Sequence, residues 1–139
     1  MENVKRVVIP VDNSEASKNV VRQGTFLAKA LGVNAKVISV NDTHQFIASV
    51  ILEEKLKKEA EVFLESFKLI GEEMGVSLET ELISGNPSEE IVNFSNEDDL
   101  IIMAGHSRKA RIDRFILGSI PEEVLRNAPC SVLLLKSNK

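Results

Sequence analysis

The sequence predicts an α/β protein in which short apolar strands alternate with amphipathic helices. Residues 4–11 are rich in valine, and residues 100–104 form another short apolar run. Elsewhere apolar residues recur every three or four positions, which is the helical period. Continuous apolar strands are typical of a parallel sheet covered on both faces, with right-handed crossovers. We therefore expect a three-layer sandwich, and the length of 139 residues favours a single domain over residues 1–139.

The first strand, the first helix and the second strand are predicted over residues 4–40. Residues 4–11 are too short and too continuously apolar for an amphipathic helix. Ser14 is the expected N-cap of a helix whose apolar face repeats every three or four residues, and Gly32 ends that helix. Residues 35–40 form the second predicted strand.

The middle of the chain is predicted to contain one long helix. Residues 56–74 carry apolar side chains at alternating spacings of four and three, with Glu and Lys between them, and Gly75 ends the pattern. Residues 44–52 fit the start of a helix but lack a strong cap, so their structure stays open. Residues 76–84 alternate apolar and polar side chains, which favours a more exposed strand near a sheet edge.

The last third is predicted to hold two short helices and two strands. Asn86 supplies an N-cap and Pro87 the first helical position of one helix. The strand at residues 100–104 follows. Ser119 is the expected cap of the last helix, which leads to a closing strand at residues 131–135.

Composition and charge exclude several classes of protein. The net charge of -4 argues against a general nucleic-acid binder, since such affinity comes from many Lys and Arg contacts to phosphates. No apolar run approaches the roughly 18 residues of a membrane span, and the N-terminus lacks the apolar centre of a signal peptide. We expect a cytoplasmic protein that binds neither nucleic acid nor membrane.

Cysteine and histidine are too sparse to predict a disulfide framework or a metal site. Cys130 is the single cysteine and reads as a packing residue. His44 and His106 lie far apart in the chain. We therefore expect no metal held by protein side chains.

Topology predicts where a ligand would bind. In an open parallel sheet, ligands bind beyond the carboxyl ends of the strands, where strand order reverses. The polar exits at residues 10–12, at residues 40–42 and from Gly105 onward follow the first, second and fourth strands. If the first strand lies between the other two, all three exits converge on one pocket.

The segment between Gly105 and Ser119 has the features of an anion site. A strand precedes it, and a helix begins at Gly118-Ser119, which leaves free backbone N–H groups at a positive helix end. The segment also contains Arg108, Lys109, Arg111 and Arg114 against Asp113 alone. The alternative is a surface loop that displays solvated charges.

Three stretches of the chain resemble the universal stress protein family. They are Ile-Pro-Val-Asp-Asn-Ser at residues 9–14, the glycines at 105 and 118 followed by serine, and Val-Leu-Arg-Asn-Ala-Pro-Cys-Ser-Val-Leu-Leu at residues 124–134. The resemblance covers essentially the whole chain. It implies a five-stranded parallel sheet with strand order 3-2-1-4-5 and helices on both faces.

The resemblance also implies an adenine nucleotide, ATP or AMP, with Mg²⁺ or Mn²⁺ held only through the phosphates. It implies that Asp12 lies beside the ribose or adenine, that the Val40 backbone reads the adenine edge, and that the glycines, Ser119 and Ile120 surround the phosphates. The whole implied set is Pro10, Val11, Asp12, Val40, Gly105, His106, Arg108, Gly118, Ser119 and Ile120.

One position departs from the family pattern. Members that bind ATP carry glycine, two residues, glycine, nine residues, glycine and then serine or threonine, and Arg108 stands where the second glycine belongs. A side chain there can block the close approach of backbone to phosphate. A guanidinium can equally hold phosphate through paired hydrogen bonds. The sequence leaves both readings open.

Three candidate residues have simpler structural readings. Asp12 would also suit an Asx turn after the first strand, and Ser119 would cap its helix with or without phosphate. His106 invites a catalytic role, but no nucleophile elbow accompanies it.

A Walker phosphate loop and a dinucleotide-binding glycine turn are both absent from the sequence. We expect at most slow ATP hydrolysis.

The closing strand is an expected dimer interface. Val132, Leu133, Leu134 and Leu135 would form a bare apolar sheet edge, and such edges pair with other chains. Many members of the resembled family dimerise through this strand. The leading hypothesis is a homodimeric stress-response protein that binds an adenine nucleotide and signals through conformation or partners. The alternative is a nucleotide-independent dimeric interaction protein whose pocket Arg108 has altered.

Overall fold

The computed structural model describes residues 3–42, 50–105 and 118–136, and its strands form one parallel sheet. The strands are β1 (Arg6–Pro10), β2 (Asn34–Asp42), β3 (Glu79–Gly85), β4 (Asp99–Ala104) and β5 (Ser131–Leu135). Their order is β3-β2-β1-β4-β5 and every pairing is parallel. The predicted strand order is therefore confirmed, with β1 at the centre.

In the described residues, four helices connect these strands and cover both faces of the sheet. They are α1 (Glu15–Leu31), α2 (Val50–Glu73), α3 (Pro87–Phe94) and α4 (Ser119–Asn127). Val7, Ile9 and Ile102 face a core cluster shared with α1 and α2. Val8 and Ile101 face a second cluster shared with α3 and α4. This alternation along the strands, with both faces buried, confirms the predicted three layers.

The predicted helix caps are mostly confirmed. The Ser14 side chain accepts a hydrogen bond from the Ser17 N–H at 3.3 Å, and Gly32 closes α1 in the left-handed region with φ 71°. The Asn86 side chain accepts from the Glu89 N–H at 3.1 Å. The prediction that Ser119 caps α4 was wrong, because Ser119 is the first residue of the helix and Gly118 occupies the cap position without a side chain to offer.

Only β5 has the predicted boundaries. β1 covers Arg6–Pro10 instead of residues 4–11, β4 begins one residue earlier than predicted, and β2 and β3 differ more clearly. β2 extends to Asn34 and Asp42, since it pairs with β3 as far as Asp42 opposite Gly85. β3 begins only at Glu79 because the preceding residues close α2. There the Val76 N–H donates to the Gly71 carbonyl at 2.8 Å. A hydrogen bond that wraps the chain back over the last helical turn is typical of a helix C-terminus.

The open segment at residues 44–52 is described only from Val50, where α2 begins, and residues 43–49 lie outside the described part of the chain. Among the described residues, no helix is long and apolar enough to cross a membrane. α1 lies close against the central strand at Gly24, where an added Cβ would stand 2.6 Å from Ile9 Cδ1. This close approach packs the middle of α1 tightly against the end of β1.

Candidate functional site

A cleft of about 530 Å³ opens at the carboxyl ends of the strands. Its lining comes from the ends of β1, β2 and β4 and from the first turns of α1, α3 and α4. β2 and β4 lie on opposite sides of β1, so the chain leaves the sheet in opposite directions at this point. The predicted convergence of the strand exits is therefore present in the structure.

The turn after β1 is built around Asp12. One carboxylate oxygen, Oδ1, accepts from the Ser14 N–H at 2.9 Å and from the Ser17 hydroxyl at 3.0 Å. The Asp12 N–H donates to the same Ser17 hydroxyl at 2.8 Å. This is the Asx turn that the simpler reading predicted. Asp12 is nevertheless exposed and lines the cleft, so the turn and a ligand contact are compatible.

The end of β2 presents backbone groups toward the cleft. β1 pairs with β2 only as far as Pro10 opposite Ile38, and the Val11 N–H donates to the Ile38 carbonyl at 2.9 Å. Backbone groups of alternate residues point to the same side of a strand. The N–H and C=O of Val40 therefore face the side where β1 has already ended, and Val40 lines the cleft.

The two glycines that flank residues 106–117 are hydrogen-bonded to each other. The Gly118 N–H donates to the Gly105 carbonyl at 3.3 Å, and the Gly105 N–H donates to Leu135 at the end of β5 at 3.0 Å. The exit of β4 and the start of α4 are thus joined directly. Gly118, Ser119 and Ile120 line the cleft, whereas Gly105 is not among the lining residues that the structure describes.

Three helix N-termini reach the cleft, and their caps differ. The Ser14 side chain caps α1, and the Asn86 side chain caps α3. α4 has no side-chain cap, and its first intrahelical bond to the cap residue is made by the Glu122 N–H to the Gly118 carbonyl at 3.1 Å. Since Pro121 has no N–H, the backbone donors that this helix start offers are those of Ser119 and Ile120.

The structure brings most of the predicted site residues together. Those that line the cleft are Pro10, Val11, Asp12, Val40, Gly118, Ser119 and Ile120. His106 and Arg108 lie outside the described residues, as do the neighbouring charges at positions 109, 111, 113 and 114. The predicted roles of all these residues remain predictions.

Sequence reasoning missed the apolar floor and part of one wall. Pro87 and Ile91 of α3, Met103 of β4 and Pro121 of α4 line the cleft. Apolar residues of helices and strands normally belong to the core, so their sequence does not mark them as cleft residues. Only the sheet order shows that α3 reaches the same end of the molecule as the strand exits. Asp42 also lines the cleft, and its place in the polar exit at residues 40–42, two positions after Val40, was the signal for it.

The described lining is acidic. Asp12, Glu15 and Asp42 line the cleft, and none of its described residues is Lys or Arg. In the same described ranges, no three His, Cys, Asp or Glu side chains are grouped so that they could hold a metal ion. Within this lining, the groups suited to an anion are therefore the backbone donors at the start of α4.

The closing strand lies at an edge of the described sheet, next to β4 alone. Val132 and Leu134 pack against the cluster shared with α3 and α4, whereas the Leu133 side chain is 40% exposed. The four residues predicted to form a dimer interface are thus not equivalent. Cys130 also packs against this cluster, in line with the predicted packing role.

Comparison with known proteins identifies the family. The family model described as the universal stress protein family matches residues 3–136. The chain is 35% identical to universal stress protein MJ0531 of Methanocaldococcus jannaschii over 143 residues, covering 97% of this chain and 84% of that protein. The solved structure of hypothetical protein MJ0577 has a TM-score of 0.82 and 27% identity, covering 97% of each chain. A solved universal stress protein from Archaeoglobus fulgidus in complex with dAMP has a TM-score of 0.70 and 24% identity, covering 94% of this chain and 96% of that one. The chain described here is a member of the universal stress protein family.

Proposed function

We propose that this protein is a cytoplasmic stress-response protein that binds an adenine nucleotide, ATP or AMP, in the cleft at the carboxyl ends of the strands. It signals through its conformation or its partners. The observation that carries the proposal is the start of α4, where Gly118 holds the cap position without a side-chain cap and the following donors face a cleft of nucleotide size.

The base is recognised at the end of β2. The Val40 N–H is a donor and the Val40 C=O is an acceptor, and both face the cleft beyond the end of β1. Adenine offers a ring nitrogen acceptor and an amino donor along one edge, which match this pair. Guanine offers a carbonyl acceptor and a ring N–H donor in the opposite order. Because mismatched buried polar groups cost free energy, the backbone of Val40 favours adenine.

The phosphate is bound by the N–H groups of Ser119 and Ile120. The positive end of α4 stabilises a negative charge there, and Gly118 lets the ligand approach because it carries no side chain. Asp12 accepts a hydrogen bond from a ribose hydroxyl with the carboxylate oxygen that the turn does not use. A divalent ion, Mg²⁺ or Mn²⁺, is held through the phosphates.

The relative from Archaeoglobus fulgidus that is seen in complex with dAMP supports this class of ligand, since dAMP combines adenine with one phosphate. The proposal extends this to ATP and to AMP in the present chain.

Calorimetry and thermal unfolding test the proposal with AMP, with ATP in the presence and absence of Mg²⁺, and with GMP as the control. A ligand at about 100 times its dissociation constant stabilises the fold by about 2.7 kcal/mol. We expect AMP or ATP to raise the unfolding temperature and GMP to do so far less. An unchanged unfolding temperature at millimolar AMP and ATP would overturn the proposal.

Arg108 separates the proposal from its alternative, a nucleotide-independent dimer whose pocket this arginine has altered. Arg108 lies outside the described residues but replaces the second motif glycine. An Arg108→Gly variant that binds AMP while the parent protein does not would establish the alternative. Weaker binding by the variant than by the parent protein would make Arg108 a phosphate ligand.

A further inference from the structure

Helices α3 and α4 are joined by a side-chain hydrogen bond close to residues that line the cleft. The Ser88 hydroxyl donates to Glu123 Oε2 at 2.5 Å, and Ser88 is only 5% exposed. We propose that this bond positions the N-terminus of α4 for phosphate, so that Ser88 and Glu123 are positioning residues of the nucleotide site. The inference rests on the proposed function and deepens it.

The hydrogen bond between Ser88 and Glu123 attaches α4 to the start of α3, which is itself held by a side-chain cap. Ser88 is the second residue of α3, and the Asn86 side chain caps that helix through the Glu89 N–H. The Ser88 hydroxyl also lies 3.0 Å from Asn86 Oδ1. A hydroxyl has one proton, and the charged carboxylate at the shorter distance is the stronger acceptor. Glu123 is thereby tied to the capped, well-defined start of α3.

The location of the bond links it to the cleft. Pro87 directly precedes Ser88, Pro121 lies two positions before Glu123, and both prolines line the cleft. On the other side of the bond, Ile91 of α3 and Val124 of α4 pack in one core cluster. The bond therefore lies beside the cleft lining, with Ser88 buried and Glu123 exposed to solvent, and it links the two helix starts.

The described contacts at the start of α4 make this anchor important. The helix spans only Ser119–Asn127, its cap residue Gly118 offers no side chain, and within the described part of the chain its start is attached by the 3.3 Å bond from Gly118 to Gly105. Glu123 follows one helical turn after Ser119, so it controls the tilt of the first turn. Binding geometry must be held to within about 0.5 Å to be productive. A shift of α4 by that amount would move the donors of Ser119 and Ile120 off the phosphate.

The test compares two ligands that differ only in the phosphate. We expect Ser88→Ala to weaken AMP binding about tenfold and adenosine binding less than twofold, since the phosphate loses donor geometry while the base site on β2 is untouched. Ser88→Ala changes no charge, so the loss cannot come from altered electrostatics. Calorimetry measures both affinities.

Glu122→Ala is the matched control for removal of the Glu123 side chain. It also removes one carboxylate from α4, but the Glu122 carboxylate pairs with Arg126 of the same helix at 2.7 Å and not with α3. We expect this variant to leave the ratio of AMP to adenosine affinity unchanged. We also expect Glu123→Ala, Ser88→Ala and the double variant to weaken AMP binding to similar extents, because all three remove the hydrogen bond between Ser88 and Glu123.

Two other results of the binding measurements would overturn the inference, and they can be told apart. If Ser88→Ala lowers the affinities for AMP and adenosine equally, or lowers only the unfolding temperature, the bond is purely structural and the nucleotide site stands. If the parent protein binds neither ligand, the proposed function fails and the inference fails with it.

Discussion

The backbone N–H of Gly118 donates a hydrogen bond to the carbonyl oxygen of Gly105 at 3.3 Å, although residues 106–117 separate the two glycines in the chain. The end of β4 and the start of α4 are therefore joined directly by a backbone hydrogen bond. Because both residues are glycines, neither contributes a side chain at this junction. The geometry of the proposed phosphate site is set here.

Gly118→Val should remove nucleotide binding without unfolding the protein. Gly118 has φ -72° and ψ 163°, which any residue adopts, so the backbone tolerates a side chain. The added methyl groups would occupy the space of the phosphate, and we expect AMP affinity to fall more than about tenfold. Calorimetry measures the affinity and circular dichroism the fold.

Gly32→Ala is the control for that variant. Gly32 closes α1 with φ 71° and does not line the cleft. It should cost about 1 kcal/mol of unfolding free energy and leave AMP affinity unchanged. Undiminished AMP binding by Gly118→Val would contradict a phosphate at this position.

Leu133→Lys should convert a dimer to a monomer in solution if β5 forms the subunit interface. Leu133 is 40% exposed, so its replacement should change the unfolding free energy of the monomer by less than about 1 kcal/mol. Leu134 is a poorer choice because it packs against the core cluster shared with α3 and α4. Light scattering measures the mass.

The matched control is Val62→Lys, which makes a similar change on α2 at a side chain 71% exposed. Its mass should equal that of the parent protein. A Leu133→Lys variant that remains a dimer would exclude this edge of the sheet as the interface.

Arg6→Ala should destabilise the fold by about 2 kcal/mol. The Arg6 guanidinium donates to both carboxylate oxygens of Asp99, at 3.0 and 2.7 Å, and lies 4.8 Å from the centre of the Phe94 ring. Asp99 is 4% exposed, so removing its partner leaves a buried carboxylate without its cation. The hydrogen bond between Arg6 and Asp99 is also the main reason that the pKa of Arg6 is raised.

Urea unfolding measures this loss against Arg126→Ala, which breaks an ion pair with side chains 72% and 50% exposed. We expect the control to cost less than about 0.5 kcal/mol. Equal costs for the two variants would show that burial of Asp99 contributes nothing.

Stability should fall at alkaline pH through Cys130. Burial, followed by the charge of Asp99, raises the pKa of the Cys130 thiol above its ordinary value. As pH rises through the ordinary thiol range, near 8.5, the unfolded state loses its proton first and the folded state keeps it. The unfolded state then binds fewer protons, so the free energy of unfolding decreases with pH.

A Cys130→Ala variant should lack this part of the alkaline decrease, because the other titrating groups are common to both proteins. Urea unfolding between pH 7 and pH 10 measures it. Identical pH slopes for the two proteins would contradict the raised pKa.

The fold was largely predictable because its signals are local. Ser14 and Asn86 cap helices whatever lies around them, and continuous apolar strands such as β4 require cover on both faces. The errors fell at boundaries where distant contacts compete. Val76 looks like a strand residue, but its N–H is used to close α2, and Ser119 looks like a cap, but Gly118 precedes the first helical turn.

The alternation of strands and helices, the family, and the chemical types of the residues at the strand ends can all be read from the amino-acid order, because each depends on neighbours in the chain. Which groups meet at the cleft depends on the folded arrangement. It brought Gly118 against Gly105, turned the Val40 backbone toward the cleft, and joined Ser88 to Glu123 across two helices. Those contacts depend on strand order and on how far each strand pairs with its neighbour, and no local pattern of side chains specifies such distances.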